Sequence, residues 1–350
     1  MGFEGFPLIV GWELTLACNL RCRHCGSSAA LPRANELNLQ ECLAICDQFP
    51  ELLVQEVNFT GGEPLLRPDW QRIAIHLREL GIRTKILTNG LVLRPETVAQ
   101  IKDAGIAGVG VSIDGLESTH NTIRGREDLF RQLIAGIERI LSAGLPVTVI
   151  TTVNALNIDE LPTLYALLRS VGVNVWQVQP IFPLGRGQTD SELQLSEKAY
   201  LKLGAFVQKW GTSVSEDDFE LMPGDSFGYF TELDMRDPPW RGCSAGLTSC
   251  DITSDGKVKG CLSMPDELVE GDLRQRDLWD IWFHPDSFAY NRKFCLDDLG
   301  PLCRSCDKAE QCRGGCSSMS YGATGRFHSD PYCFYRITGY STSLVENGGL

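Results

Sequence analysis

From Pro7 to about Gly187 the chain repeats one unit: a short run of β-branched and apolar residues, then a stretch of helical periodicity. That alternation is the signature of βα units, whose strands lie parallel under a cover of helices. Strands are expected near Leu8–Glu13, Glu56–Thr60, Arg83–Thr88, Gly108–Ile113, Pro146–Val153 and Val173–Pro180. Helical stretches fall at Leu39–Gln48, Trp70–Leu80, Pro95–Ala104, Leu129–Ala143 and Ile158–Val171, with Gly81, Gly105, Gly144 and Gly172 at helix ends. The fold class is therefore α/β, and sheets of this kind bind ligands at the C-terminal ends of their strands.

The 350 residues, 43% of them apolar, suit one large domain and a smaller one. The opening Met-Gly-Phe-Glu-Gly-Phe-Pro has an acidic residue and no basic region, unlike a secretory signal. No apolar run reaches the length of a membrane span, so a cytoplasmic protein without membrane partners is expected. A formal charge of -13 leaves no electrostatic footprint for nucleic acid, and the excess carboxylates also serve solubility. Fourteen cysteines without an export signal point to metal binding or catalysis in a reducing compartment.

Three of those thiols, Cys18, Cys22 and Cys25, sit on the loop after the first strand. Such a loop can hold three irons of a 4Fe-4S cluster and leave the fourth without a protein ligand, whereas structural zinc normally closes a tetrahedron of four. The spacing resembles the cluster loop of the radical S-adenosylmethionine (SAM) superfamily. The resemblance implies an open, partial (β/α)6 barrel, with SAM chelated at the open iron and cleaved reductively to a 5′-deoxyadenosyl radical. After the second strand Gly61-Gly62-Glu63-Pro64 resembles the family's Gly-Gly-Glu-Pro motif, whose backbone and Glu63 the resemblance assigns to the SAM ammonium group. Read without the resemblance, the same four residues also make a turn.

Later strand ends carry Ser112, Asp114 and Asn154, short polar residues that suit ribose hydroxyls and the methionyl carboxylate, as SAM contacts of the family do. Polar residues at βα junctions also cap helices and make turns. By the same resemblance His24, between two cluster cysteines, packs beside the adenine. Arg124 lies within reach of the SAM carboxylate, although a surface arginine is the commoner case.

The last third carries Cys243, Cys250, Cys261, Cys303, Cys306, Cys312, Cys316 and Cys333. Eight thiolates suffice for two fully ligated 4Fe-4S clusters, and Cys-x2-Cys pairs are also typical of zinc ribbons. The interleaved spacing resembles the SPASM extension of peptide-modifying radical SAM enzymes. That resemblance assigns Cys243, Cys250, Cys261 and Cys316 to a first auxiliary cluster, and Cys303, Cys306, Cys312 and Cys333 to a second, making three clusters with the SAM site. Around them, residues 255–261 read as a hairpin, Leu278–Trp282 as a helix, and Cys312-Arg313-Gly314-Gly315-Cys316 as a tight loop. Cys42 and Cys46, on one helix face, need no role beyond packing.

These signals divide the chain into a barrel over 1–188, a bridge over 189–242 with a helix at Ser196–Trp210, and a SPASM domain over 243–350. In the bridge Asp225 and Tyr229 are candidates for taking the proton that leaves as a substrate radical is oxidised, in competition with a plain acidic surface loop. The expected function is radical modification of a ribosomally made precursor peptide by crosslinking, residue excision or side-chain oxidation. The first strand begins within ten residues of the start, so a separate leader-peptide recognition protein is expected, besides a flavodoxin- or ferredoxin-type reductant. The alternatives are a tetrapyrrole or other small-molecule substrate, and an iron–sulfur electron-transfer protein without turnover.

Overall fold

The computed structural model describes residues 5–211, 219–224, 226–231 and 240–338. In chain order its principal elements are β1 (Ile9–Thr15), α1 (Leu39–Cys46), β2 (Glu56–Gly61), α2 (Trp70–Glu79), β3 (Arg83–Thr88), α3 (Pro95–Asp103), β4 (Gly108–Ser112), α4 (Glu117–Arg124), α5 (Leu129–Ser142), β5 (Val147–Val153), α6 (Leu161–Val171), β6 (Val175–Pro180), α7 (Gly185–Thr189), α8 (Glu197–Trp210) and β7 (Glu220–Pro223). The C-terminal part adds β8 (Ser249–Ile252), β9 (Lys257–Lys259), β10 (Gly271–Asp272), α9 (Leu278–Trp282), α10 (Ala289–Arg292), α11 (Ala309–Cys312), α12 (Ser317–Thr324) and α13 (Phe334–Ile337).

Strands β1 to β6 lie side by side in sequence order and all parallel, as the alternation predicts, in the partial (β/α)6 barrel that the resemblance implies. Period-2 alternation drives them: Val147, Val149, Thr151 and Val153 of β5 are buried while the residues between are half-buried. Helices cover the outer face through stripes at i, i+3 and i+4 spacing, such as Leu129, Leu133, Ile137 and Ile140 of α5. Trp12 of β1 marks the helix-facing side, packing edge-on against Phe49 at 5.9 Å and Phe59 at 6.4 Å. Helix α6 starts at Leu161, later than the periodicity suggests, because Pro162 suits only a first turn and residues 155–160 turn ahead of it.

The sheet is longer than six strands at both ends. Strand β7 adds parallel to β6, and β8 adds parallel to the free edge of β1, followed by antiparallel β9 and β10. The C-terminal domain is thus joined to the barrel through a continuous sheet. Buried Glu13 of β1 reinforces the join, accepting from the Ser254 backbone N–H at 3.1 Å and the Ser254 hydroxyl at 2.8 Å, and pairing with Arg33 at 2.6 Å. Among the described residues no helix is long and apolar enough to cross a membrane.

Candidate functional site

The loop after β1 is held from below by β2 and from the side by the segment after β6. Ala30 and Leu16 close its neck, with Cys18 N–H donating to the Ala30 carbonyl at 3.1 Å and Ala30 N–H to the Leu16 carbonyl at 3.2 Å. Arg186 of α7 donates from Nε to the Cys22 carbonyl at 2.8 Å and from its backbone to the Cys25 carbonyl at 3.0 Å. Gly185 is required there: φ is +54° and a Cβ would lie 2.2 Å from the Gly26 carbonyl oxygen. Gly185, Arg186 and Gly187 went unread in the sequence; the signal was a Gly-Arg-Gly triplet on the segment that follows β6.

Gly61 and Gly62 let β2 touch the same loop. Gly62 N–H donates to the Thr15 carbonyl and Glu63 N–H to the Ala17 carbonyl, both at 2.8 Å, and a Cβ on Gly62 would stand 2.3 Å from the Ala17 carbonyl oxygen. Pro64 opens a short 3-10 turn that returns the chain toward α2. Glu63 is fully buried and accepts from the Thr88 hydroxyl at 2.8 Å, Asn89 N–H at 2.8 Å and Leu65 N–H at 3.2 Å. Burial pushes its carboxyl up to about 7 against the downward pull of those hydrogen bonds. Asn89 in turn donates to Asn19 Oδ1 at 2.8 Å and points Nδ2 at Cys18 Sγ, 3.7 Å away.

A second chain of contacts reaches Cys22. Asp114, beyond the end of β4 and wholly buried, accepts from Thr152 N–H at 2.9 Å and pairs with Arg124 at 2.6 Å. Arg124 Nη1 lies 3.7 Å from Cys22 Sγ, and His24 Nε2 lies 3.2 Å from Asp114 Oδ2. Burial opposes ionisation of Asp114, but the Arg124 charge and the hydrogen bond from His24 outweigh it and hold its carboxyl well below the usual carboxylate range. His120 presents Nδ1 to the Asp114 backbone N–H at 3.0 Å, and burial beside the Arg124 charge brings its pKa down to about 3, leaving it neutral. The surface placement that is commoner for arginine does not apply to Arg124, which is 8% exposed because Asp114 and Cys22 draw it inward.

The other strand-end residues divide. Ser112 ends β4 half-buried, in register with Ile150. Asn154 is buried and its amide is committed locally, donating to the Thr152 carbonyl and accepting from Leu156 N–H, both at 3.0 Å. Asp225 lies outside the described residues. Tyr229 is buried in the C-terminal part, where its hydroxyl donates to Asp330 Oδ2 and accepts from Cys316 N–H, both at 3.0 Å.

In the C-terminal domain Cys303, Cys306, Cys312 and Cys333 line one cavity, together with Tyr229, Gly314, Gly315 and Asp330. Three successive left-handed residues, Arg313, Gly314 and Gly315, turn the chain between Cys312 and Cys316. A Cβ on Gly314 would lie 2.4 Å from the backbone of His328, so the tight loop needs glycine there. Cys243, Cys261 and Cys316 form the other group, close enough that the charge of Cys243 raises both other thiols, with burial the larger cause at each. Cys250 stands apart, buried on β8 opposite Val10. Among the described residues no three Cys, His, Asp or Glu side chains close on a point that one ion could occupy. A zinc ion would need all its thiolates about 2.3 Å from a single centre, whereas a 4Fe-4S cluster takes its thiolates on separate irons.

An open cysteine triad at the C-terminal ends of a parallel partial barrel, with a second cysteine-rich domain on the sheet edge, defines a class of iron–sulfur SAM enzymes. Residues 12–168 match the Radical SAM superfamily, and residues 243–307 match the SPASM iron-sulfur cluster-binding domain. The AdoMet-dependent heme synthase of Methanosarcina barkeri is 30% identical, over 94% of this chain and 97% of that protein. The mycofactocin maturase MftC of Mycobacterium ulcerans is 29% identical, over 90% of this chain and 84% of that one. SuiB of Streptococcus suis, solved with the precursor peptide SuiA, shares the fold with a TM-score of 0.74 at 18% identity, over 95% of this chain and 77% of its own. The chain belongs to the radical SAM superfamily and carries a C-terminal SPASM domain.

Proposed function

We propose that this radical SAM enzyme modifies a ribosomally made precursor peptide, by a crosslink, a residue excision or a side-chain oxidation. The observation that carries the reading is the 29% identity to a peptide maturase, sustained over 90% of the chain and so over both the barrel and the C-terminal cysteines. Cys18, Cys22 and Cys25 would hold the SAM-binding cluster, and the C-terminal thiols two auxiliary clusters. When bound, the first cluster and SAM supply the hydrogen-abstracting radical.

The chain's own residues do the rest. The Gly61-Gly62 backbone, brought against the cysteine loop, and buried Glu63 suit an ammonium group. Asp114, kept ionised by Arg124, fixes the wall beside Cys22 and His24, while Ser112 and Asn154 at neighbouring strand ends complete the rim. Tyr229, locked to Asp330, fits a supporting role beside the auxiliary thiols better than proton transfer. A separate leader-binding protein and a flavodoxin- or ferredoxin-type reductant in the cytoplasm belong to this reading.

A tetrapyrrole substrate is the second reading, favoured by the near end-to-end 30% identity to a heme synthase. Anaerobic incubation of the reconstituted enzyme with SAM and reductant, with peptides encoded beside its gene in one arm and iron porphyrins in the other, separates the two by mass spectrometry. A peptide losing hydrogens or a residue fragment, with 5′-deoxyadenosine alongside, supports the first. An altered porphyrin and untouched peptides would sink it.

A further inference from the structure

We propose that the groove beside the cysteine loop, lined by Arg94, Arg126 and Arg139, is the docking site of a small acidic one-electron carrier protein, and that electrons reach the cluster held by Cys18, Cys22 and Cys25 through this face. The inference rests on the reading that a flavodoxin- or ferredoxin-type protein is the reductant. It adds where that protein binds and which side chains select it.

The groove, about 360 Å³, is formed by the cysteine loop, the segment after β3, the turn after α4 and the exposed side of α5. Asn19, Arg94, Arg126, Gln132 and Arg139 are its polar lining, and no carboxylate lines it. Among the described residues Arg94 meets no carboxylate, Arg139 donates to the Leu93 carbonyl at 3.0 Å, and Arg126 pairs with Asp128 at 2.8 Å. Arg21 adds an exposed guanidinium beside them. Its backbone carbonyl faces Gly125, next to Arg126, and its side chain reaches the carbonyls of Cys18 and Leu20 rather than an acid.

These arginines run against the composition of the chain. With 45 acidic residues against 32 basic ones, the protein as a whole repels an acidic partner. A cationic groove reverses that field at one place. Charge complementarity of this kind sets where a partner lands and how fast it arrives more than how tightly it binds. That suits a redox partner, which docks, delivers and leaves, and whose encounters bury little area.

The groove also abuts the cluster loop. Asn19 follows Cys18 directly, and Asn89 leads into the wall made by residues 90–94. Asn89 Nδ2 ties the two walls together, donating to Asn19 Oδ1 at 2.8 Å with Cys18 Sγ 3.7 Å away. Electron transfer weakens steeply with distance, so a donor has to dock close to the cluster. It also has to stay clear of the strand ends inside the barrel, where ligands of such sheets bind. Gln132 and Arg139 are exposed residues of α5, whose buried stripe of Leu133, Ile137 and Ile140 faces the sheet, so the groove opens on the outside. The step moves one electron: the carrier is oxidised, the cluster is reduced, and no bond forms or breaks.

The test compares electron sources on the reconstituted full-length enzyme. Formation of 5′-deoxyadenosine is followed with a reduced acidic flavodoxin, a reduced acidic ferredoxin, or saturating dithionite. Arg94→Gln, which has no ion pair to lose, should raise KM for the carrier about two- to fivefold, the range of one exposed charge pair. Arg94→Gln, Arg126→Gln and Arg139→Gln together should raise it at least about tenfold and flatten its salt dependence, with kcat and dithionite-driven cleavage unchanged. Binding of the oxidised form of whichever carrier works, measured by calorimetry, should weaken in parallel. An unchanged KM and affinity in the triple variant would overturn the inference. So would an equal loss with dithionite while Arg94→Gln alone keeps the wild-type KM, since the arginines would then act on the loop and not on the carrier. If neither carrier reduces the wild type although dithionite does, the reading of a protein reductant falls and the inference with it, by a result separate from that of any variant.

Discussion

Arg124, at the C-terminal end of α4, closes on Asp114 at 2.6 Å inside the protein, and its second nitrogen comes within 3.7 Å of Cys22 Sγ. One guanidinium therefore neutralises a buried carboxylate and faces a cluster thiol at once. A buried carboxylate in a low-dielectric wall is tolerable only with that cation beside it.

Removing the cation strands a buried charge. Arg124→Leu is expected to cost about 3–5 kcal/mol of stability in the apoprotein, while the double variant with Asp114→Asn recovers most of it. Urea unfolding under reducing conditions checks both. A single variant as stable as wild type would mean that the pair carries no such energy.

Glu63 titrates in the physiological range, and the sign of its effect follows from its raised pKa. The folded state holds an extra proton between the ordinary carboxylate pKa of 4.5 and about 7, so the native protein is favoured below that window and loses the contribution as pH rises through it. Relative to Glu63→Gln, the wild-type apoprotein should lose up to about 3 kcal/mol between pH 4.5 and pH 8. Denaturant midpoints of both proteins at the two pH values decide it, and parallel pH profiles would refute it.

Much of this site is written in short-range patterns. The six strands and the cysteine loop follow from period-2 alternation, glycine stops and local spacing, all of which act over a few residues. Helix α4 was not legible because Glu117–Arg124 is mostly polar, with few apolar residues to mark a face. Its loss hid the inward course of Arg124. Strand β7 has four residues and takes its identity from parallel pairing with β6, Val175 opposite Glu220 through Val178 opposite Pro223, not from its own sequence. The docking of β8 on β1 joins residues about 240 apart through Gly11 and Asp251, a contact with no local signature.

Gly62 is a steric requirement rather than a flexible joint. A Cβ at Gly62 would stand 2.3 Å from the Ala17 carbonyl oxygen and 2.5 Å from that of Leu16, both backbone, so the cysteine loop itself must move. Gly62→Ala should lower SAM cleavage at least about tenfold, the scale of a modest misplacement of reacting groups. Gly81→Ala is the control: φ is +78° but nothing lies within 4 Å, so it should cost about 1 kcal/mol of stability and leave cleavage intact. Equal effects of the two on 5′-deoxyadenosine formation would contradict the steric account.

Tyr229 offers a choice between support and chemistry. Its hydroxyl joins Asp330 to the backbone of Cys316, its ring lies 4.5 Å from Trp240, and burial holds its phenol well above the ordinary tyrosine range. A proton donor already spent on Asp330 and kept from ionising is poorly suited to accept a proton near neutral pH. Tyr229→Phe strands one oxygen of Asp330 and one buried N–H, and should cost about 1–3 kcal/mol in urea unfolding. The pH profile of substrate turnover should keep its shape. An intact stability with a flattened profile would instead assign Tyr229 to proton transfer.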